Sequence, residues 1–447
     1  MSRAVVTVVG GGLAGCEAAL QLAARGRAVR LFEMRPHVRT PAHQTEGLGE
    51  LVCTNSFKSE DPANAHGQLK REMDRLGSVL LRCARTARVP AGSALAVDRT
   101  RFSEAMTGAV AAEPLIEVCR EEVRTLPEGP TIIATGPLTS DALSESIRAR
   151  LGEDGLAFYD AIAPIVHRES LDEGIVFSAG RFSESDDYLN CPFSRDEYEA
   201  FIDALLAGEV HTGHDWDSVP YFEGCLPIEV MAERGRDTLR FGPMKPIGLT
   251  DPRTGRRPWA VVQLRREDAA GQMLNLVGFQ TRMKIGAQAD VFRRIPGLAD
   301  AEFLRWGSIH RNSYLNFPAR LSAHGGLPDR PDLVFAGQLT GVEGYTESAA
   351  SGILAGLNLD RMLAGRAPVV PPPTTMLGAL YRYLHGAEPG RFQPMNSNWG
   401  LVDPLADPPR GKVERRAALA ERAEDDFAAW VSREGVAPPL AAVGGHA

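Results

Sequence analysis

The sequence predicts an α/β fold, a Rossmann-like domain built from two separate chain segments with an α+β domain inserted between them. Three observations predict it. Within the first 33 residues an apolar run meets closely spaced glycines, then a helical pattern, then a second apolar run. A further apolar run and a glycine-spaced helix return at residues 333–356. Between them, from about residue 190 to 325, aromatic residues, arginines and short strand-like runs alternate with turns. The expected division is 1–190 with 325–447 as the Rossmann-like domain and its C-terminal helical tail, and 191–324 as the inserted domain. A chain of 447 residues suits two or three such units.

Each element follows from local pattern. Residues 4–9 (AVVTVV) read as a buried strand, and LAGCEAALQLAAR as a helix stopped by Gly26. Residues 28–33 (AVRLFE) read as the next strand, completing a strand–turn–helix–strand opening. Residues 37–65 are polar and small without a period and read as one long functional loop, followed by a helix from about Gln68. TIIATG (131–136) is a strand ending at a Gly-Pro turn, and LVFAG (333–337) a buried strand leading to a helix from about Tyr345. RAPVVPPPTT is a stiff connector. The terminal GKVERRAALAERAEDDFAAWVSREG is an amphipathic packing helix.

Composition removes several classes. With 44% hydrophobic and 24% charged residues the chain is ordinary globular material. No apolar run approaches the ~20 residues that span a bilayer. Met1 leads straight into a strand with no leader-like segment, so the expected location is the cytoplasm. The six cysteines (16, 53, 83, 119, 191 and 225) show no paired spacing and read as free thiols in a reducing compartment. His211 and His214 have no third ligand near in sequence, and no metal is expected. Net charge is -8, yet residues 231–320 hold 16 Lys+Arg against 8 Asp+Glu. Such a basic middle suits RNA phosphates or an anionic cofactor tail, and equally a solvated surface.

Gly10, Gly12 and Gly15 form GxGxxG after a strand and at the opening of a helix, the context that gives the motif meaning. Gly10 permits the turn, Gly12 admits a pyrophosphate, and Gly15 lets helix and sheet approach. Together with Gly11, Leu13 and Ala14 they place phosphates at a helix N-terminus, where N–H groups and the helix dipole favour negative charge. Glu33, ending the second strand, is placed to accept hydrogen bonds from a ribose. The second glycine-rich element, AGQLTGVEGYTESAASGILAG (336–356), favours FAD over NAD, because its helix N-terminus would face a flavin. This assigns Gly136, Gly337, Gln338 and Tyr345 to the same cofactor and makes the domain one of glutathione-reductase type. With no second GxGxxG, a dedicated NAD(P)H domain is not expected. Cys53 (GELVCTNSFKS) and Cys225 (YFEGCLPIE) lie in polar or turn-rich company, unlike Cys16 and Cys119 in apolar runs. As nucleophiles they would need a pKa lowered by nearby Arg, Lys or a helix N-terminus; as structural cysteines they would not.

GGGLAGCEAA with Glu33, ELVCTNSFKS, FEGCLPIEVMA, RFGPMKPIGL, LVGFQTRMK, IHRNSYLN and GQLTGVEGYTESAASG occur in this order along the chain. In these motifs the sequence resembles the folate- and FAD-dependent tRNA (uracil-5-)-methyltransferases over essentially its whole length, departing slightly at Cys16, where Ser or Ala is expected. The resemblance implies methylation of C5 of the T-loop uridine of tRNA, with methylenetetrahydrofolate as carbon donor, reduced FAD as reductant and NAD(P)H as its electron source. It implies Cys225 as the nucleophile adding to uracil C6, and Cys53 as a second thiol in acid–base chemistry or protection. Tyr345 would cover the flavin, and His310 and Arg282 would hold folate, the guanidinium suiting its carboxylates; His310 is equally read as a surface histidine. Trp306 or Tyr314 would stack on a splayed base, or pack in a core. Competing readings are a flavin oxidoreductase of small molecules, a non-catalytic RNA-binding flavoprotein, and the related flavoprotein of wobble-uridine modification, which carries a further helical domain.

Overall fold

The computed structural model describes residues 5–40, 42–152, 155–181, 185–211 and 226–438, with only the backbone given at 155–162 and 308–313. Five strands build the first sheet in the order Leu333–Phe335, Thr131–Ile133, Val6–Val9, Val29–Phe32, Ile116–Cys119. All four pairings are parallel. The order puts the first strand at the centre, where Val6 and Val8 are fully buried. A parallel sheet of this kind is covered on its faces, which is why its strands read as continuous apolar runs. The helix Leu13–Ala24 follows the central strand and lies against the helix Tyr345–Leu363 through Gly352 and Gly356, which face the backbone of Ala14 and Ala18.

The stretch 37–65, expected as one loop, contains a strand, Ser56–Ser59, paired antiparallel with Ala94–Val97. Phe57 causes it: buried at 1% exposure, it packs edge-on to Phe102 and against Tyr345. One buried aromatic in a polar segment leaves no period to detect. The next helix runs Ala65–Arg75, starting ahead of Gln68 because the Asn64 side chain caps it. The proline-rich connector leads into the helix Met376–Gly386, whose first N–H groups at Met376 and Leu377 both donate to the buried Glu72 at 2.8 Å. The terminal helix Lys412–Glu434 buries Phe427 and Trp430, and its Glu424 pairs with Arg75.

The second sheet has six strands in the order Phe177–Ser178, Tyr188–Phe193, Ala260–Arg266, Met273–Leu276, Ile165–His167, Phe303–Arg305, all antiparallel. Its own core centres on Phe193, Phe201, Phe279 and Phe292. A two-stranded ribbon, Gly155–Ile162 with Ser308–Leu315, accompanies it. The boundary expected at residue 191 falls on a strand of this sheet, and Val166, Leu171 and Val176 already belong to the second core. Pairing between 165–167 and 303–305 sets that membership, a long-range fact without a compositional trace.

Candidate functional site

The glycine turn is closed against backbone at Gly10 and Gly15 and left open at Gly12, as is Gly136 beside it. At Gly10, with φ +105°, a Cβ would lie 2.5 Å from the Ala134 carbonyl; at Gly15 it would lie 1.8 Å from the Gly10 carbonyl. Neither position can hold a side chain without moving backbone. At Gly12 and Gly136, by contrast, a Cβ would meet nothing within 4 Å. Gly12 is the N-cap of the Leu13–Ala24 helix and no side chain caps that end. Open space in front of an uncapped helix N-terminus fits a diphosphate. Gly10, Gly11, Gly12, Glu33, Arg35, His43, Thr135 and Leu143 line one cleft in front of this turn.

Glu33 closes this cleft and is already well bonded. Its Oε2 accepts from the Gly11 amide at 3.0 Å and from an Arg35 terminal nitrogen at 3.1 Å. Its Oε1 accepts from the Arg35 amide and Nε. Burial opposes the charge, and Arg35 with the Gly11 amide outweighs it, holding the carboxyl below its ordinary range. Glu33 thus ties the turn to the second strand, a second task beside the ribose contact expected of it. Burial and the Arg35 charge push His43 down to about 4, so it faces the cleft neutral at pH 7.

At the other element, Gly337 (φ +76°) approaches the Ala14 side chain, and its N–H donates to Ser351 Oγ at 2.7 Å. Gln338 donates to Glu343. Gly337 therefore sits at the junction of the two helices, while the Gln338 bond stays within its own connecting segment. Tyr345 opens the long helix, and its phenolic oxygen accepts from the amides of Cys53 and Thr54 at 2.8 and 3.1 Å. The two sequence-distant candidates are thereby joined directly.

Cys53 is half-buried, and its loop is held by arginines from three elements. Arg99 donates to the carbonyls of Leu51 (2.5 Å) and Cys53 (2.9 Å), and its Nε pairs with Glu267 at 2.5 Å. Arg305 reaches the Cys53 carbonyl at 3.5 Å. Arg265 donates to Asn55 Oδ1 at 3.0 Å and to Thr54 Oγ1 at 2.7 Å. Asn55 completes the clamp by donating to the carbonyls of Val97 and Arg266. Arg265 and Arg305 lie on the second sheet and Arg99 on the first unit's helix Arg99–Ala111, so Cys53 sits where the two cores meet. Sequence reading missed all three arginines and Glu267. The available signal was LRRE, charged residues continuing an apolar strand run at 264–267.

Other candidates fare unevenly. Cys225 and His214 lie outside the described residues, and His310 is given by backbone alone, on the ribbon strand Ser308–Leu315. Arg282 lies 3.8 Å from carboxylate oxygens of both Glu229 and Glu233, so protein carboxylates already meet the guanidinium expected to take folate. Tyr314 is 3% exposed and packs on Phe392, so of its two readings the structure favours packing in a core over base stacking. Trp306 stacks on Phe303 at 4.1 Å and is only partly buried. Among the described residues no group of three or more His, Cys, Asp or Glu is placed to hold a metal, and no helix is long and apolar enough to cross a membrane.

Known proteins share both the sequence and the architecture. The family described as Glucose inhibited division protein A matches residues 5–367. The methylenetetrahydrofolate--tRNA-(uracil-5-)-methyltransferase TrmFO of Geobacter sulfurreducens is 55% identical over 433 residues, 96% of this chain and 99% of that protein. A protein of the same name from Thermus thermophilus is 53% identical over 435 residues, covering 97% and 98%. Aquifex aeolicus GidA superposes with a TM-score of 0.67 at 16% identity, over 96% of this chain and 76% of that one, a likeness of fold.

Proposed function

Since this chain belongs to the family of methylenetetrahydrofolate–tRNA-(uracil-5-)-methyltransferases, with a Glucose inhibited division protein A-type fold, we propose that it methylates C5 of the T-loop uridine of tRNA. The observation that carries this reading is the seat of Cys53, a thiol loop fixed by Tyr345 and three arginines drawn from both the first unit and the second sheet.

The chemistry sets what the residues must do. C5 of uracil is a poor nucleophile. Addition of the Cys225 thiolate to C6 forms an S–C6 bond and moves the ring electrons into an enolate, so that C5 can attack a one-carbon electrophile. The net change replaces C5–H by C5–CH3, adding a methylene unit from methylenetetrahydrofolate. When bound, reduced FAD supplies the two electrons and two hydrogens that turn methylene into methyl and return tetrahydrofolate. We assign its diphosphate to Gly10, Gly11, Gly12, Leu13, Ala14 and Gly15, a ribose to Glu33, and neighbouring contacts to Gly136, Gly337, Gln338 and Tyr345. NAD(P)H is the electron source in this reading, and His310 and Arg282 hold the folate. Cys53 is the second thiol, acting in acid–base chemistry or in guarding Cys225. The inserted unit, with the basic excess of residues 231–320, meets the tRNA phosphates. The cytoplasm, where tRNA and free thiols coexist, is the site of action.

Cys225→Ala tests this. It should abolish methyl transfer to tRNA while bound FAD and its reduction persist. Unchanged methylation would remove Cys225 as the nucleophile; loss of bound FAD together with activity would place Cys225 in the cofactor site instead.

A further inference from the structure

The three arginines at Cys53 do more than hold a loop. Among the described residues, the charged and titratable groups set around the Cys53 loop include Arg99 from its helix, Arg265 from one strand of the second sheet with Glu267 just after it, Arg305 from another, and the Tyr345 phenol. Three guanidinium groups meet one carboxylate. Glu267 is 1% exposed and its Oε1 has no hydrogen-bond partner, and Arg265 is 8% exposed. Arg305 Nε is likewise buried without a partner. Burying like charges together is costly unless an anion joins them.

We propose that Arg99, Arg265 and Arg305 are positioning residues that hold Cys53 as a thiolate, with Glu267 keeping Arg99 aimed at the loop. This rests on the reading of Cys53 as the second thiol of the reaction. The electrostatics of the cluster are consistent with it, and the backbone geometry places it. Desolvation depresses Arg265 and Arg305, the Arg99 charge depresses both further, and negative charge on Cys53 favours the protonated form of all three. Such coupling is mutual, so each guanidinium that gains from a thiolate stabilises it in turn. The backbone bonds fix the geometry: Arg99 and Arg305 share the Cys53 carbonyl, and Tyr345 takes its amide, leaving the side chain no freedom to leave the cationic seat by a peptide flip. The Glu267 pairing answers why one carboxylate is present: without it Arg99 could turn its fork away from the Leu51 and Cys53 carbonyls.

The test follows alkylation of Cys53 by iodoacetamide as a function of pH, read by peptide mass spectrometry in the full-length, FAD-loaded Cys225→Ala protein. The proposal predicts a midpoint below the ordinary thiol value of about 8.5. Arg305→Gln should raise it by about one unit, roughly a tenfold loss of thiolate at pH 7. Arg305→Lys, keeping the charge, should restore most of it, which a merely structural role would not produce. Arg99→Gln should act in the same direction; since Arg99 makes more backbone bonds, Arg305 is the safer position. A parent midpoint at or above the ordinary value, or a folded Arg305→Gln protein with an unmoved midpoint, overturns the proposal. Full methyl transfer by Cys53→Ala would instead remove Cys53 from the reaction, without touching the alkylation profile.

Discussion

Gly352→Ala isolates the packing on which the cradle depends. A Cβ at Gly352 would lie 2.1 Å from the Ala14 carbonyl oxygen and 2.8 Å from Ala14 C and Cα. The obstacle is backbone, so the helices themselves must shift to admit it. Overpacking of this severity costs about 3 kcal/mol, and the gain in helix propensity from Gly to Ala returns about 1, leaving a net loss of about 2 kcal/mol. Ala14 belongs to the first turn after Gly12, so the same displacement shifts the N–H groups of the cradle. Gly108→Ala is the control. It too lies inside a helix, Arg99–Ala111, but a Cβ there meets nothing within 4 Å, so it should stabilise by about 0.5–1 kcal/mol. Urea unfolding followed by far-ultraviolet circular dichroism compares both with the parent. The Gly352→Ala protein should also retain less FAD. A Gly352→Ala protein as stable as Gly108→Ala would refute the close-packing argument and with it the role assigned to Gly352.

Two further outcomes are expected. Gly12→Val adds bulk where the structure is open, so the melting temperature of the cofactor-free protein should stay within about 2 °C while purified protein loses its yellow FAD absorbance; a Gly12→Val protein that stayed yellow would contradict the diphosphate assignment. Glu17 accepts from Leu80 N at 2.8 Å and from Ser78, and burial pushes it up to about 7. The folded protein then binds the extra proton between the ordinary carboxyl value and about 7, so stability falls as pH rises through that window by on the order of 3 kcal/mol. Glu17→Gln, which keeps the acceptor oxygen, should flatten that slope in urea midpoints taken from pH 5 to 8; an unchanged slope would assign it to other groups.

Local pattern made the Rossmann opening legible because each piece announces itself nearby: Val6–Val9, the glycines and Leu13–Ala24 are contiguous. Glu33 was legible from its position at a strand end, but its bonding to Arg35 was not, since two ions two residues apart do not say which way either points. The Ser56–Ser59 strand was hidden because one buried Phe57 supplies its anchoring. The seat of Cys53 was half legible. Its polar loop singled it out, yet Arg99, Arg265, Arg305 and Tyr345 arrive from four separate elements. Only the pairing of the second sheet and its docking on the first bring them together, and no short-range pattern encodes that. The same long-range pairing moved the edge of the second core ahead of residue 191.

Transfer of labelled carbon tests the central claim most directly. Purified FAD-loaded protein is given NAD(P)H, methylenetetrahydrofolate labelled in its methylene carbon, and tRNA lacking the T-loop methyl group. The account predicts label in 5-methyluridine of the T-loop, one methyl per tRNA, with release of tetrahydrofolate and no label when Cys225 is replaced by alanine. Unlabelled tRNA from a preparation whose FAD is reduced and reoxidised normally would contradict it, and would leave an ordinary flavin oxidoreductase in its place.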